Sequence, residues 1–213
     1  NSETHKYIGA VSFHSWRGCD DVTLRKWADA AKEINVPLLV GEGSTDAAAH
    51  GYAEIFNEST FALYEINLYT RICTICQPLS ILQWQLTSDY SLLWGGGIYG
   101  SKGPLRPTQR FWNIKQLAST PADALAIPVS SSKKNVNCAA FGNMVRGEYA
   151  VHMVNNGADC EAVISGIPAE VKKLKVYVTN TKDCMKETAV KVENGLVRVH
   201  LPAISFITLL SDK

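Results

Sequence analysis

Glu42 is the residue of this chain hardest to explain as a bystander. It sits in VPLLVGEGSTD, Val36 to Asp46, where a short apolar run passes straight into a carboxylate set between two glycines. By strict alternation Val36, Leu38, Val40 and Glu42 share one face, which lines the carboxylate up with core residues at the C-terminal end of a strand. An ionised carboxylate is costly there unless something pairs with it. A salt bridge or a contact to a following backbone amide would account for it. So would a role as nucleophile or base at the mouth of a parallel barrel, where strand ends carry the chemistry.

The neighbouring stretches bring rings and hydrogen-bonding groups to the same mouth. YIGAVSFHSW places Ala10, Ser12, His14 and Trp16 on one face, and SILQWQLTS places Leu82, Trp84, Leu86 and Ser88 on one face. Aromatic faces surrounded by polar side chains suit sugar rings, which present apolar C–H faces and hydroxyl edges. Taken singly, each ring also fits a core, and His14 also fits a satisfied structural histidine.

The elements that must position these residues follow from periodicity. After the first strand, Asp20 or Asp21 caps a helix whose Leu24, Trp27, Ala28, Ala31 and Ile34 fall on one stripe, and Asn35 and Pro37 end it. A long helix over about 59–77 carries Phe61, Tyr64, Leu68, Ile72 and Ile75 inward. A glycine-rich loop, WGGGIYGSKGP, leads to a last helix that begins near Pro107 and turns Phe111, Ile114 and Leu117 to the core. The order β-α-β-α-β-α predicts a parallel sheet with covering helices. Beyond Pro121 the character changes to seven short strand-like runs: NVNCAAFG, EYAVHMVN, EAVISG, LKVYVTN, TAVKVE, LVRVHL and ISFITLL. Asn194-Gly195 between two of them is the strongest hairpin signal. These predict an antiparallel β-sandwich, with domains over 1–120 and 121–213.

Composition narrows the alternatives. With 213 residues, 46% of them hydrophobic, and a net charge of +1, the chain lacks the field that nucleic acid or an anionic membrane would select. No apolar run approaches the ~20 residues of a membrane span. The start, NSETHKY, has no apolar signal core, so any export signal is expected to have been removed already. Six scattered cysteines do not make a disulfide scaffold, and CTIC, inside an apolar helical pattern, reads as core thiols rather than a redox or zinc pair. The histidines show no HExxH spacing, GGGIYG lacks the Lys-Ser/Thr of a phosphate loop, and no G-x-S-x-G elbow is present. Asn57-Glu58-Ser59 fits a glycosylation sequon.

The layout resembles the C-terminal half of a clan A glycoside hydrolase, most closely family 30, with family 39 as a neighbour. In those enzymes a (β/α)8 barrel is followed by a β-sandwich, and the nucleophilic glutamate ends strand seven. LLVGEGSTD matches that position, SFHSW resembles strand six, and LQWQLTSDYSLLWGGG resembles strand eight, whose tryptophan floors the sugar subsite. LRPTQRFWNIKQLAS looks like the helix joining the two domains, and LPAISFITLL like the last sandwich strand.

The resemblance implies strands six to eight of a TIM barrel followed by a sandwich, and a retaining β-glycoside hydrolase that works by double displacement. Glu42 would be its nucleophile. His14, Trp16 and Trp84 would position the sugar, and Gln83, Gln85 and Asp89 are further candidates for hydroxyl contacts. No metal or organic cofactor is implied. Strands one to five are absent, and with them the strand-four Asn-Glu pair that supplies the acid/base. Asn57-Glu58 mimics that pair but lies after the nucleophile, at a helix start. A full barrel takes about 250 residues, so the chain is expected to be one piece of a longer protein or to work beside a second chain that completes the barrel. Alone it is expected to be inactive. The alternative is a non-catalytic carbohydrate-binding or structural fragment. A secreted, periplasmic or lysosomal location is expected over a cytoplasmic one.

Overall fold

The structure is a computed structural model that describes residues 2–46 and 51–211. The chain begins with a short helix α1 (Ser2–His5), then β1 (Val11–His14), α2 (Asp21–Glu33), β2 (Leu38–Gly43), α3 (Ser59–Ile75) and β3 (Ser80–Gln83). A small ribbon, β4 (Leu93–Trp94) with β5 (Arg106–Pro107), brackets the glycine-rich loop before α4 (Gln109–Leu117). Then follow β6 (Leu125–Ile127), β7 (Val136–Asn143), β8 (Glu148–Asn155), β9 (Cys160–Ser165), β10 (Lys173–Thr179), β11 (Lys186–Lys191), β12 (Leu196–Leu201) and β13 (Ser205–Ser211).

β1, β2 and β3 form a parallel sheet with β2 in the middle. Parallel neighbours need crossovers, and α2 and α3 supply them. The Asp20 side chain caps α2 by accepting from the Val22 and Thr23 N–H groups, and beyond its end Asn35 takes a positive φ of 53°. Leu24 and Ala31 are buried beneath the helix, while Trp27 stacks on Phe13 at 5.4 Å. Among the described residues β1 and β3 each pair on one side only. Leu82, Trp84 and Leu86 are correspondingly exposed.

The later strands build two antiparallel sheets, one ordered β11-β10-β13-β8-β7-β6 and one pairing β9 with β12. Val136, Met153, Val176, Ile207 and Leu209 of the larger sheet pack on Val197, Val199 and Leu201 of the smaller. From its other face Val154 and Phe206 join the core of the helical part with Phe13, Leu24, Val40 and Ile72. β13 is thus covered on both faces, and its residues from Ser205 to Leu209 are all buried, the polar Ser205 and Thr208 among them.

Several expectations need correction. Tyr64 is exposed, because α3 buries a broad arc through Phe61, Ala62, Glu65, Ile66, Leu68, Tyr69 and Ile72 instead. On α4 the fully buried residues are Arg110, Asn113 and Gln116, while Phe111, Ile114 and Leu117 are only half-buried. The polar stripe turns inward because each side chain finds fixed partners. Asn113 donates to the Ala62 carbonyl at 3.0 Å, and Gln116 donates to Phe206 O at 3.1 Å and accepts from Thr179 Oγ1 at 2.7 Å. The third strand stops at Gln83, and the Trp84–Gln85 peptide is cis. Asn194 and Gly195 do form a two-residue turn, both at positive φ, closed by reciprocal 2.9 Å bonds between Glu193 and Leu196. That turn carries the chain from one antiparallel sheet to the other, since β11 pairs with β10 and β12 with β9.

Candidate active site

A β-bulge, invisible to simple alternation, sets the direction of Glu42. β1 and β2 run in register through Val11–Leu38, Ser12–Leu39 and Phe13–Val40, and then His14 pairs with Glu42, skipping Gly41. The β2–β3 ladder likewise jumps from Val40–Ile81 to Gly43–Gln83. The extra residue reverses the alternation. Leu38 and Val40 point into the core as expected, but Glu42 does not share their face; it projects with Ser12 and His14 on the other. Gly41 points the same way, since a Cβ there would lie 2.7 Å from Ser12 Oγ and 3.7 Å from the His14 ring.

On that face the carboxylate finds its partners. Trp16 Nε1 donates to Glu42 Oε2 at 2.9 Å, and His14 Nδ1 lies 3.2 Å from the same oxygen. The Glu42 side chain keeps 28% of its surface exposed, so it is held but reachable. The Trp16 ring meets Tyr90 edge-on at 4.8 Å, and Tyr90 packs on Phe56 at 4.8 Å. Arg17 pairs with Asp46 just outside this cluster.

The other sequence candidates are dispersed. The Trp84 N–H donates to Gly43 O at 2.8 Å, which puts this residue at the end of β3 beside the end of β2, its ring partly exposed. Gln83 accepts from Tyr69 Oη at 2.6 Å, and its Nε2 lies 3.4 Å from Glu65 and 3.1 Å from Trp84 O, so its amide is engaged on the helix side of the sheet. Gln85 is half-buried in the loop, where its backbone bonds Tyr90 and Leu92. Asp89 is exposed between Ser88 and Tyr90, both at positive φ. His14 and Trp16 therefore both contact Glu42, Trp84 lies at the end of the neighbouring strand, and Gln83 is committed elsewhere.

Two groups of residues were not singled out by sequence. Ser15 and Ser44 clasp each other: Ser15 Oγ donates to Ser44 O at 2.5 Å and accepts the Ser44 N–H at 3.0 Å. Behind them Arg110 grips Glu65 through Nε at 2.9 Å and Nη2 at 2.7 Å, and both side chains are buried. A glutamate inside an apolar helical stretch was the available signal for the second group. Small serines offered none.

Glu58 occupies the N-cap position of α3 and bonds Tyr52 and Thr60, in keeping with a helix-start carboxylate. Cys73 and Cys76 are buried, and burial pushes each thiol up to about 12. Among the described residues no cluster of His, Cys, Asp or Glu could hold a metal ion, and no helix is long and apolar enough to cross a membrane. Two cavities lie away from Glu42, one of about 600 Å³ between β7, β8 and β9 and one of about 460 Å³ between β3, α3 and the segment after α4.

No protein-family model matches the sequence, and no curated protein matches it. Solved structures do match the fold. A GH30 endoxylanase from Clostridium papyrosolvens C71 has a TM-score of 0.81 at 13% identity, over 100% of this chain and 51% of its own. A conserved exported protein from Bacteroides fragilis has a TM-score of 0.68 at 15% identity, over 95% of this chain and 46% of its own. A GH39 β-xylosidase from Caulobacter crescentus has a TM-score of 0.56 at 11% identity, over 100% and 54%. The chain spans about half the length of these structures. At such identities the likeness is one of fold, and in fold the chain resembles half of a clan A glycoside hydrolase of the family 30 and 39 type.

Proposed function

We propose that this chain is the nucleophile-bearing half of a retaining β-glycoside hydrolase. In this reading residues 1–120 are strands six to eight of a (β/α)8 barrel with their helices, and 121–213 are its β-sandwich domain. The observation that carries the proposal is the bulge that turns Glu42 out of the core, onto Trp16 and His14, at the C-terminal end of a parallel strand. Active sites of barrel enzymes lie at that end.

Each group then has a role. Glu42 attacks the anomeric carbon, and a glutamate outside this chain protonates the departing oxygen and later activates water. The Trp16 indole N–H and His14 hold the carboxylate in one orientation, which spares the nucleophile a search for its attack geometry. Trp16 and Trp84 offer ring faces to a sugar. Gln85 and Asp89, in the loop after β3, are placed for its hydroxyls more readily than Gln83, whose amide is engaged with Tyr69. Retention asks for about 5–5.5 Å between the two carboxyl groups. The exported Bacteroides neighbour supports a location outside the cytoplasm: secreted, periplasmic or lysosomal.

The test is Glu42→Gln in the full-length protein that contains this chain. The amide keeps the shape and removes the nucleophile. Turnover of aryl β-xylosides and xylo-oligosaccharides should collapse while the folded state persists. Undiminished turnover would mean that Glu42 is not the nucleophile, whereas no turnover by the unaltered full-length protein would favour a carbohydrate-binding or structural role.

A further inference from the structure

Building on that reading of Glu42, we propose that Ser15 and Ser44 are positioning residues for it, tied to the buried Glu65–Arg110 pair as a fixed point. A bulge leaves its extra residue outside the ladder and loosens the strand locally. The strand end that carries Glu42 therefore needs restraint from elsewhere. Ser15 lies between His14 and Trp16, the two residues on the carboxylate, and Ser44 lies two residues beyond Glu42. The reciprocal Ser15–Ser44 bonds, with the Ser15 N–H donating to Glu42 O at 3.0 Å, clasp the ends of β1 and β2 at that point.

The clasp is not free to slide. Ser44 Oγ donates to Glu65 Oε1 at 3.1 Å, and Glu65 is locked by the forked Arg110 contact. The remaining guanidinium nitrogen, Nη1, donates to Tyr90 O at 3.0 Å and Ser91 O at 2.8 Å. Tyr90 is the residue whose ring packs on Trp16. One guanidinium thus fixes the Glu42 strand end on one side and the loop that backs its hydrogen-bond donor on the other. Phe56 and Phe61 cover it at 5.0 and 5.2 Å.

Energetics favours a geometric role. A buried ion pair seldom stabilises a fold more than apolar residues of the same volume would, because desolvation offsets the attraction. What a planar guanidinium fork supplies is direction. Direction matters here because misplacing a reacting group by about 1 Å can cost on the order of a hundredfold in rate.

Ser44→Ala and Ser15→Ala in the full-length protein test the relay, with kinetics and the Trp16 indole N–H resonance as readouts. Each should lower kcat about ten- to hundredfold with KM within about twofold, the split expected when only the transition state is affected. The indole resonance should move in both. The double variant should lose less than the product of the two, because the pair acts as a unit. Thr70→Val is the control: it removes another buried hydroxyl of α3, bonded to Ile66 O at 2.8 Å rather than to Ser15, Ser44, Glu65 or Arg110. It should lower Tm without moving kcat or the resonance. If Ser15→Ala and Ser44→Ala merely follow Thr70→Val, the relay is refuted. If Glu42→Gln retains turnover, the nucleophile reading fails instead. The indole resonance then judges the relay alone: displaced in Ser44→Ala, the relay stands; unmoved, it falls.

Discussion

The indole N–H of Trp16 meets Glu42 Oε2 at 2.9 Å, joining the segment after β1 to the end of β2. This contact answers the cost of placing a carboxylate at a strand end, since a donor two elements away in sequence supplies what the local residues lack. It also predicts a measurable dependence. Trp16→Phe keeps most of the ring but removes the donor. A hydrogen bond to a charged group is worth about 1.5–3 kcal/mol, so kcat/KM of the full-length protein should fall roughly ten- to hundredfold. Unchanged kcat/KM would mean that the contact has no part in turnover.

Arg110→Met should be among the most destabilising single changes in the chain. It strands Glu65 in a site where that residue is 1% exposed, and removing one partner of a buried pair costs about 3–5 kcal/mol. Glu65→Leu together with Arg110→Met should recover much of the loss, because no charge is then left unpaired. Urea unfolding of the two variants decides it, and equal loss in both would count against the pair as the source.

His152 predicts the acid limb of stability. It is fully buried, bonded through Nε2 to Thr120 and through Nδ1 to Thr208 at 2.8 Å each, and burial lowers its pKa from 6.5 to about 3. Below pH 6.5 the unfolded chain takes up a proton that the folded chain refuses until about pH 3. The stability is therefore complete above pH 6.5 and is lost as pH falls towards 3, at up to about 1.4 kcal/mol per unit. Unfolding curves at pH 7 and pH 5 should show a smaller loss in His152→Gln than in the unaltered protein. Parallel losses would assign the acid limb to other groups.

The two glycines around Glu42 should respond differently to alanine. At Gly43 the new Cβ would meet Ile81 Cγ2 at 2.6 Å, Tyr69 Oη at 3.0 Å and the Leu82 carbonyl at 3.3 Å, all parts of a packed layer. Overpacking of this kind costs about 1–3 kcal/mol. At Gly41 the close neighbour is the hydroxyl of an exposed serine, Ser12. Gly43→Ala should lower Tm more than Gly41→Ala does, and the reverse order would put the bulge in the wrong place.

Much of this architecture is legible in the sequence, for physical reasons that vary by element. The seven runs after Pro121 all form strands, because each is short, rich in residues that favour strands and bounded by turn signals. The three-residue β6 escapes notice, being too short to show a period. On α4 the buried Arg110, Asn113 and Gln116 look like a solvent face, since their burial depends on partners in α3, β10 and β13 that local periodicity cannot supply. Glu42 shows both sides of the matter. Its presence at a strand end marks it, but alternation alone points it into the core. The reversal depends on one skipped residue, Gly41, whose effect appears only when two ladders are compared.

Whether Glu42 is the nucleophile proposed above is decided by trapping a covalent bond between its carboxylate and the sugar. The full-length protein would be incubated with a 2-deoxy-2-fluoro-β-glycoside bearing a good leaving group, digested and sequenced by mass spectrometry. A single glycosyl adduct is expected on the peptide containing VPLLVGEGSTD, carried by the Glu42 carboxylate. An adduct on another carboxylate, or steady turnover with inversion and no adduct, would contradict it.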